Sequence, residues 1–212
     1  MTIAIINYKM GNLRSVLNAF ESLGADAKIV DSPDLLSSAK AVVLPGVGAF
    51  KEGVDNLKNL NFVKAIEVEV LEKKKPFLGI CLGAQMIAKK GFEHGEHEGL
   101  GWLDFDVRKI APKDNSFRIP HMGWNNLEIK NGGGRLFNGI KDPAVVYFVH
   151  SYHLVPVRGQ EKYITSTAWH GESITASIEK DNIFGVQFHP EKSQNTGLAL
   201  LKNFIDLAYG KT

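Results

Sequence analysis

The chain has 212 residues, and its 25 Lys and Arg against 23 Asp and Glu leave a net charge of +2. Near-neutrality excludes a strongly basic nucleic-acid binder and an acidic tail as the main theme, and the 44% hydrophobic and 23% charged fractions are those of a globular protein of one ordinary domain, taken as 1–212. No apolar run reaches the ~18–20 residues of a membrane helix, the start lacks the pattern of a signal peptide, and a single Cys excludes an internal disulfide and points to a reducing, cytoplasmic setting.

In chain order, IAIIN (3–7) is a short apolar strand. A helix follows from about Asn12, with Leu13, Val16, Leu17, Phe20 and Leu23 on one face and Gly24 as its stop. AKIV (27–30), AVVLPG (41–46) and FLGI (77–80) are three more strands; a helix over Phe62–Lys74 precedes Pro76, and LGAQMIAKK (82–90) is expected to be helical. The Lys73–Lys75 run is expected to be a solvated helix end. Such alternation predicts βαβ units and a mostly parallel sheet flanked by helices. From about Leu100 the texture changes to strand-like segments separated by turns such as NGGG (131–134), which predicts added antiparallel strands in the second half. The α/β pattern returns with NIFGVQFHP and a final amphipathic helix, Leu198–Ala208.

The lone cysteine stands in FLGICLGAQ, where an apolar strand runs into Cys81 and a helix is expected at once. Gly79 and Gly83 flank it as G-x-C-x-G, the cysteine form of a nucleophile elbow. A tight, strained turn needs glycine at its flanks, and a helix start favours thiolate over thiol. A cysteine nucleophile needs a base, and the base needs an orienting acceptor. QFHPE (187–191) supplies both: His189 follows a second apolar strand, and Glu191 lies across the rigid Pro190. Neighbouring parallel strands end at the same edge, which would let His189 reach Cys81. The other histidines, His94, His97, His121, His150, His153 and His170, carry no comparable context, and FEHGEHEG is expected to be a solvated loop rather than a metal site. LPGVG (44–48) suits an oxyanion loop, its N–H near Val47 partnering that of Leu82.

PGVGAF, GICLGAQ and GVQFHPE, in this order and spacing, resemble a class I glutamine amidotransferase domain over nearly the whole chain. PHMGWN (120–125), YFVHSY (147–152), HPEKS (189–193) and GNLRSV (11–16) are similar to the glutaminase subunits that serve imidazole glycerol phosphate synthesis in the histidine pathway. The resemblance implies a flavodoxin-like α/β fold, a Cys81–His189–Glu191 triad, and an oxyanion hole at Val47 and Leu82. It also implies L-glutamine bound at Gly46, Gly48, Gln85, Glu93, Ser151 and Tyr152, with no metal or other cofactor. Ammonia would pass to a (βα)8-barrel cyclase docked over Asn12, Met122, Trp124 and Lys192, although ordinary core packing is an equal reading of Met122 and Trp124. The first loop departs from the usual Asp-Tyr-Gly, reading Asn7-Tyr8-Lys9. A paralogous glutaminase feeding amidination of a surface-polysaccharide sugar is the alternative, whereas the linked His-Pro-Glu argues against a cysteine peptidase of similar architecture.

Overall fold

The computed structural model describes residues 2–114, 116–141 and 143–211. β1 (Ile3–Ile6) is buried throughout, as a central parallel strand requires. α1 (Leu13–Ser22) follows, capped by Asn12, whose side chain accepts from the Ser15 N–H at 3.4 Å. Gly24 closes it at φ +74°. β2 (Ala27–Val30), β3 (Ala41–Gly46) and β4 (Phe77–Cys81) are all as the sequence predicts. Between β3 and β4 lie α2 (Phe50–Asn59), which the sequence reading did not isolate, and α3 (Phe62–Glu67), which widens into a π-helical turn over Val68–Glu72. Lys73 and Lys74 are exposed at the helix end, as expected, and Lys73 and Lys75 pair with the buried Glu69 carboxylate at 2.7 and 2.6 Å.

The helix expected over 82–90 is corrected. α4 is a single turn, Leu82–Gln85, and the chain then enters β5 (Ala88–Gly91). The backbone carbonyls of Met86, Ile87 and Ala88 accept from the N–H groups of Leu100, Trp102 and Gly101, so they are taken before a helix can use them. Tertiary pairing here overrides local propensity. β6 (His97–Glu98) and β7 (Leu103–Lys109) flank β5, antiparallel and parallel to it.

The second half supplies β8 (His121–Asn126), β9 (Glu128–Ile129), β10 (Val145–His150), β11 (Tyr152–Pro156), β12 (Ile164–Trp169), β13 (Ser173–Lys180), β14 (Ile183–Val186) and α5 (Gln194–Ala208). Among the described residues the main sheet runs β2-β1-β3-β4-β14-β13-β12-β9, parallel as far as β14 and antiparallel beyond. β8 and β10 form an antiparallel pair, and β11-β7-β5-β6 a separate sheet. Apolar cores lie on both faces: Phe20, Phe184 and Phe204 on one, Phe50, Phe62 and Phe77 on the other.

The reversal of strand order beside β1 is the doubly wound pattern, whose crevice opens beyond the carboxyl ends of the strands. Gly46 is in register with Cys81, and Val186 with Ile80. The PGVG loop, the cysteine and the segment after β14 therefore leave the sheet at one edge.

α4 turns back on the sheet so closely that a Cβ at Gly83 would overlap the carbonyl oxygen of Leu44. Gly83→Ala should cost about 1–3 kcal/mol or more through overpacking. Gly24→Ala, with open space around it, should cost only the roughly 1–2 kcal/mol of its left-handed backbone. Chemical denaturation of the two variants decides; a costlier Gly24→Ala would mean that the helix–strand approach does not demand the glycine.

Candidate active site

Cys81 ends β4 with φ 52° and ψ −111°, a conformation that costs an L-residue on the order of 1–3 kcal/mol. The flanking glycines explain how it is held. A Cβ at Gly79 would lie 2.7 Å from the backbone N and Cα of Ala84, and one at Gly83 would strike Leu44. The elbow therefore closes only with glycine on both sides. The side chain of Tyr8 is wedged beneath: its buried hydroxyl occupies the space of a Cβ at Gly46, and burial together with the nearby Cys81 pushes its pKa up.

His189 is 3% exposed and lies on the first turn after β14. Its backbone N–H donates to the Tyr147 carbonyl at 2.9 Å, and its own carbonyl accepts from the Ser193 hydroxyl at 2.6 Å. Nδ1 meets Glu191 Oε1 at 2.8 Å, which leaves Nε2 for the sulfur. That nitrogen has no aligned hydrogen-bond partner among the described residues, although the thiol is close enough to act on the ring's charge. Burial alone would lower the His189 pKa; Cys81 and Glu191 outweigh it and raise the pKa to about 10. With α4 only one turn long, little macrodipole is available at Cys81.

Cys81 opens into a cavity of about 470 Å³ lined by Val47, Gly48, Leu82, Gln85, Glu93, Ser151 and Tyr152, among others. This is the size class of small-ligand sites. Gly48 has φ +104°. Gly46 does not line the cavity; it lies beside Cys81 on the neighbouring strand β3. Glu93 Oε2 accepts the Phe50 N–H at 2.7 Å, which fixes its carboxylate at the start of α2. His94 is exposed, and no group of three or more His, Cys, Asp or Glu suited to a metal occurs among the described residues.

Met122 and Trp124 are 62% and 49% exposed, so the core reading of them fails. They project outward from β8 with alternate residues turned inward. The Trp124 and Tyr147 rings meet edge to face, and Lys192 Nζ sits 5.9 Å from the centre of Tyr147. Asn12, Met122, Trp124 and Lys192 are all exposed.

Sequence reasoning missed Gln187. It is 2% exposed, and its Nε2 donates to Cys81 Sγ at 3.6 Å. A polar residue in the otherwise apolar IFGVQF was the available signal.

Comparison with known proteins agrees with this geometry. The family model for glutamine amidotransferase class-I matches residues 4–207. An imidazole glycerol phosphate synthase subunit HisH 1 of Campylobacter jejuni strain RM1221 is 48% identical, covering 97% of this chain and 100% of its own length. A HisH subunit of Aquifex aeolicus is 46% identical with 96% of both chains covered, and a HisH 2 subunit of Pseudomonas aeruginosa is 40% identical with 97% and 99% covered. Among solved structures, a glutamine amidotransferase matches with a TM-score of 0.71 at 20% identity, over 97% of this chain and 98% of that one. Another, from Thermotoga maritima, matches with a TM-score of 0.63 at 22% identity, over 100% and 83%. The main-sheet topology, the strained elbow and the near-complete span of these matches agree: the chain belongs to the class-I glutamine amidotransferase family.

Proposed function

We propose that the chain is the glutaminase subunit of an imidazole glycerol phosphate synthase, hydrolysing L-glutamine and passing the ammonia to a cyclase subunit in histidine biosynthesis. The observation that carries this reading is the Cys81 elbow opening on a cavity beside the His189–Glu191 pair. The Cys81 thiolate attacks the side-chain amide carbon of glutamine. The oxyanion that forms is met by the backbone N–H of Leu82 and one from the Val47–Gly48 loop. His189, held by Glu191, gives its proton to the leaving nitrogen, and ammonia departs from a γ-glutamyl thioester. Water then attacks the thioester, His189 accepts a proton from it, and glutamate leaves.

Gln85 and Glu93, with backbone at Gly48, Ser151 and Tyr152, recognise the glutamine. Both Nε2 hydrogens of Gln85 are already spent, on the Tyr152 carbonyl at 2.7 Å and Gln187 Oε1 at 3.0 Å. Gln85 therefore meets the substrate with its carbonyl oxygen, which suits an ammonium or amide N–H. Ammonia in open water at neutral pH would be protonated and lose its nucleophilicity. A (βα)8-barrel cyclase seated over Asn12, Met122, Trp124 and Lys192 would take it directly, in the cytoplasm, where the thiol stays reduced. Exposed aromatic and Met side chains are the anchors such a surface uses.

Cys81→Ala should abolish ammonia release, and a glutamine-analogue alkylator should add one mass equivalent to the wild-type chain at Cys81; undiminished release from the variant would end the nucleophile assignment. His189 loses its proton at about 10 when folded and near 6.5 when free. Its charged form thus adds stability fully below about 6.5, and that contribution is lost as pH rises to about 10. Glu191→Gln should move the alkaline limb of the glutaminase pH profile down by about 1 unit or more; an unmoved limb would separate Glu191 from the base. Trp124→Ala should leave the chain folded yet weaken cyclase capture by about 2 kcal/mol, some thirtyfold in Kd by titration calorimetry. Rescue of a histidine auxotroph lacking this subunit, with the cyclase supplied, tests the acceptor; failure to rescue would favour the sugar-amidinating alternative.

A further inference from the structure

Six side chains and one carbonyl form a continuous line from β8 to the sulfur. Asn125 Oδ1 accepts the Asn126 N–H at 2.8 Å, and Nδ2 donates to the Trp169 carbonyl at 2.9 Å, which fixes the amide's orientation. Nδ2 also lies 3.1 Å from His121 Nε2, which must therefore accept. His121 then carries its proton on Nδ1, 3.0 Å from His150 Nε2. His150 in turn carries its proton on Nδ1, 2.9 Å from the Tyr152 carbonyl. The same tautomers follow from the opposite end, because that carbonyl can only accept. A proton added to either ring would set two N–H groups against each other. Burial, the principal cause, favours the neutral rings: the His121 pKa is lowered to about 4 and that of His150 to about 3.

From the Tyr152 carbonyl the line turns to Gln85, which donates to that oxygen and to Gln187 Oε1. Gln187 is thereby oriented with its N–H toward Cys81 Sγ. An amide reversed at Gln187 would put two donors together at one end and oxygen against sulfur at the other.

We propose that Gln187 is a further catalytic residue, donating a hydrogen bond to the Cys81 thiolate, and that Gln85, His150, His121 and Asn125 are positioning residues that hold its amide in the donating orientation. The role rests on the glutaminase reading for its purpose but not for its detection. A hydrogen bond to a charged group is worth about 1.5–3 kcal/mol, and a neutral donor stabilises thiolate without competing with His189 for the leaving-group proton. The outer end of the line is on the strand that exposes Met122 and Trp124, so the partner-facing strand and the nucleophile share one hydrogen-bonded unit.

The test is the pH dependence of Cys81 alkylation by iodoacetamide in the full chain, which needs neither glutamine nor the cyclase. Gln187→Met keeps the volume and removes the donor; its alkylation midpoint should rise, and kcat should fall roughly ten- to a hundredfold with KM little changed. His121→Phe, which keeps a ring stacked on Phe148 far from the sulfur, should move the midpoint in the same direction by less. An unchanged midpoint in a folded Gln187→Met overturns the assignment. If that variant does not fold, His121→Phe decides: a raised midpoint supports the line, an unmoved one overturns it. Shifted midpoints in a chain that releases no ammonia would instead overturn the glutaminase reading and leave the hydrogen bond standing.

Discussion

The close approach of α4 to β3 and β4 sets the terms for the rest of the site. Cys81 stays at φ 52° because the backbone on either side has no other place to go. Gly83 lies against Leu44, Gly79 against Ala84, and Gly46 is paired in register with Cys81. Strain of this kind persists only where packing over-determines it. The cost has a geometric return: the sulfur leaves the sheet edge and enters the cavity, which Leu82 and the Val47–Gly48 loop also line. A relaxed backbone would direct the same side chain into the core, where free cysteines are commonly inert.

For the proposed nucleophile, the thiolate charge would have to be stabilised by something other than a long helix. The structure spends one turn on α4 before the chain is claimed by β5. In the proposed chemistry His189 takes over that role: burial opposes the imidazolium, yet Cys81 and Glu191 together overcome that penalty. The carboxylate is almost wholly buried beside the ring, 2% exposed at its side chain, so solvent screens the pair little. The turn that holds it is short, and Ser193 ties His189 and Tyr147 to one hydroxyl.

The parallel strands and the meeting of Cys81 with the His189–Glu191 pair were legible because each rests on a local pattern. Apolar tetrads such as Ile3–Ile6 have one use in a chain of this kind, and Gly79, Cys81 and Gly83 announce a turn that other residues cannot make. What local pattern cannot show is competition for backbone groups. LGAQMIAKK has helical composition, but residues 100–102 take the carbonyls of Met86, Ile87 and Ala88. Gln187 and His150 escaped for a related reason: each is one polar residue at the end of an apolar stretch, and its meaning lies in partners 106 and 29 positions away. Met122 and Trp124 were ambiguous between core and surface until β8 was seen to turn them outward.

The first loop shows how a departure from family pattern can leave the fold intact and still bear on function. Lys9 stands at φ 68°, where glycine would be free of strain and an L-residue gives up roughly 1–2 kcal/mol. Asn7 offsets part of that, accepting the Lys9 N–H at 3.1 Å while its Nδ2 donates to Asp31 at 2.6 Å. The turn therefore keeps the left-handed step with a charged side chain in place of none. That loop is also packed on the Val47–Gly48 loop: a Cβ at Gly48 would meet the Met10 methyl at 2.7 Å, and Gly11 lies over Gly46. A surface that binds Lys9 or Asn12 lies next to Met10, which packs against Gly48 in the loop proposed to receive the oxyanion. On the proposed reading, the partner surface and the oxyanion loop are therefore packed together at Met10 and Gly48, while the Asn125–Gln187 line joins β8 to the sulfur.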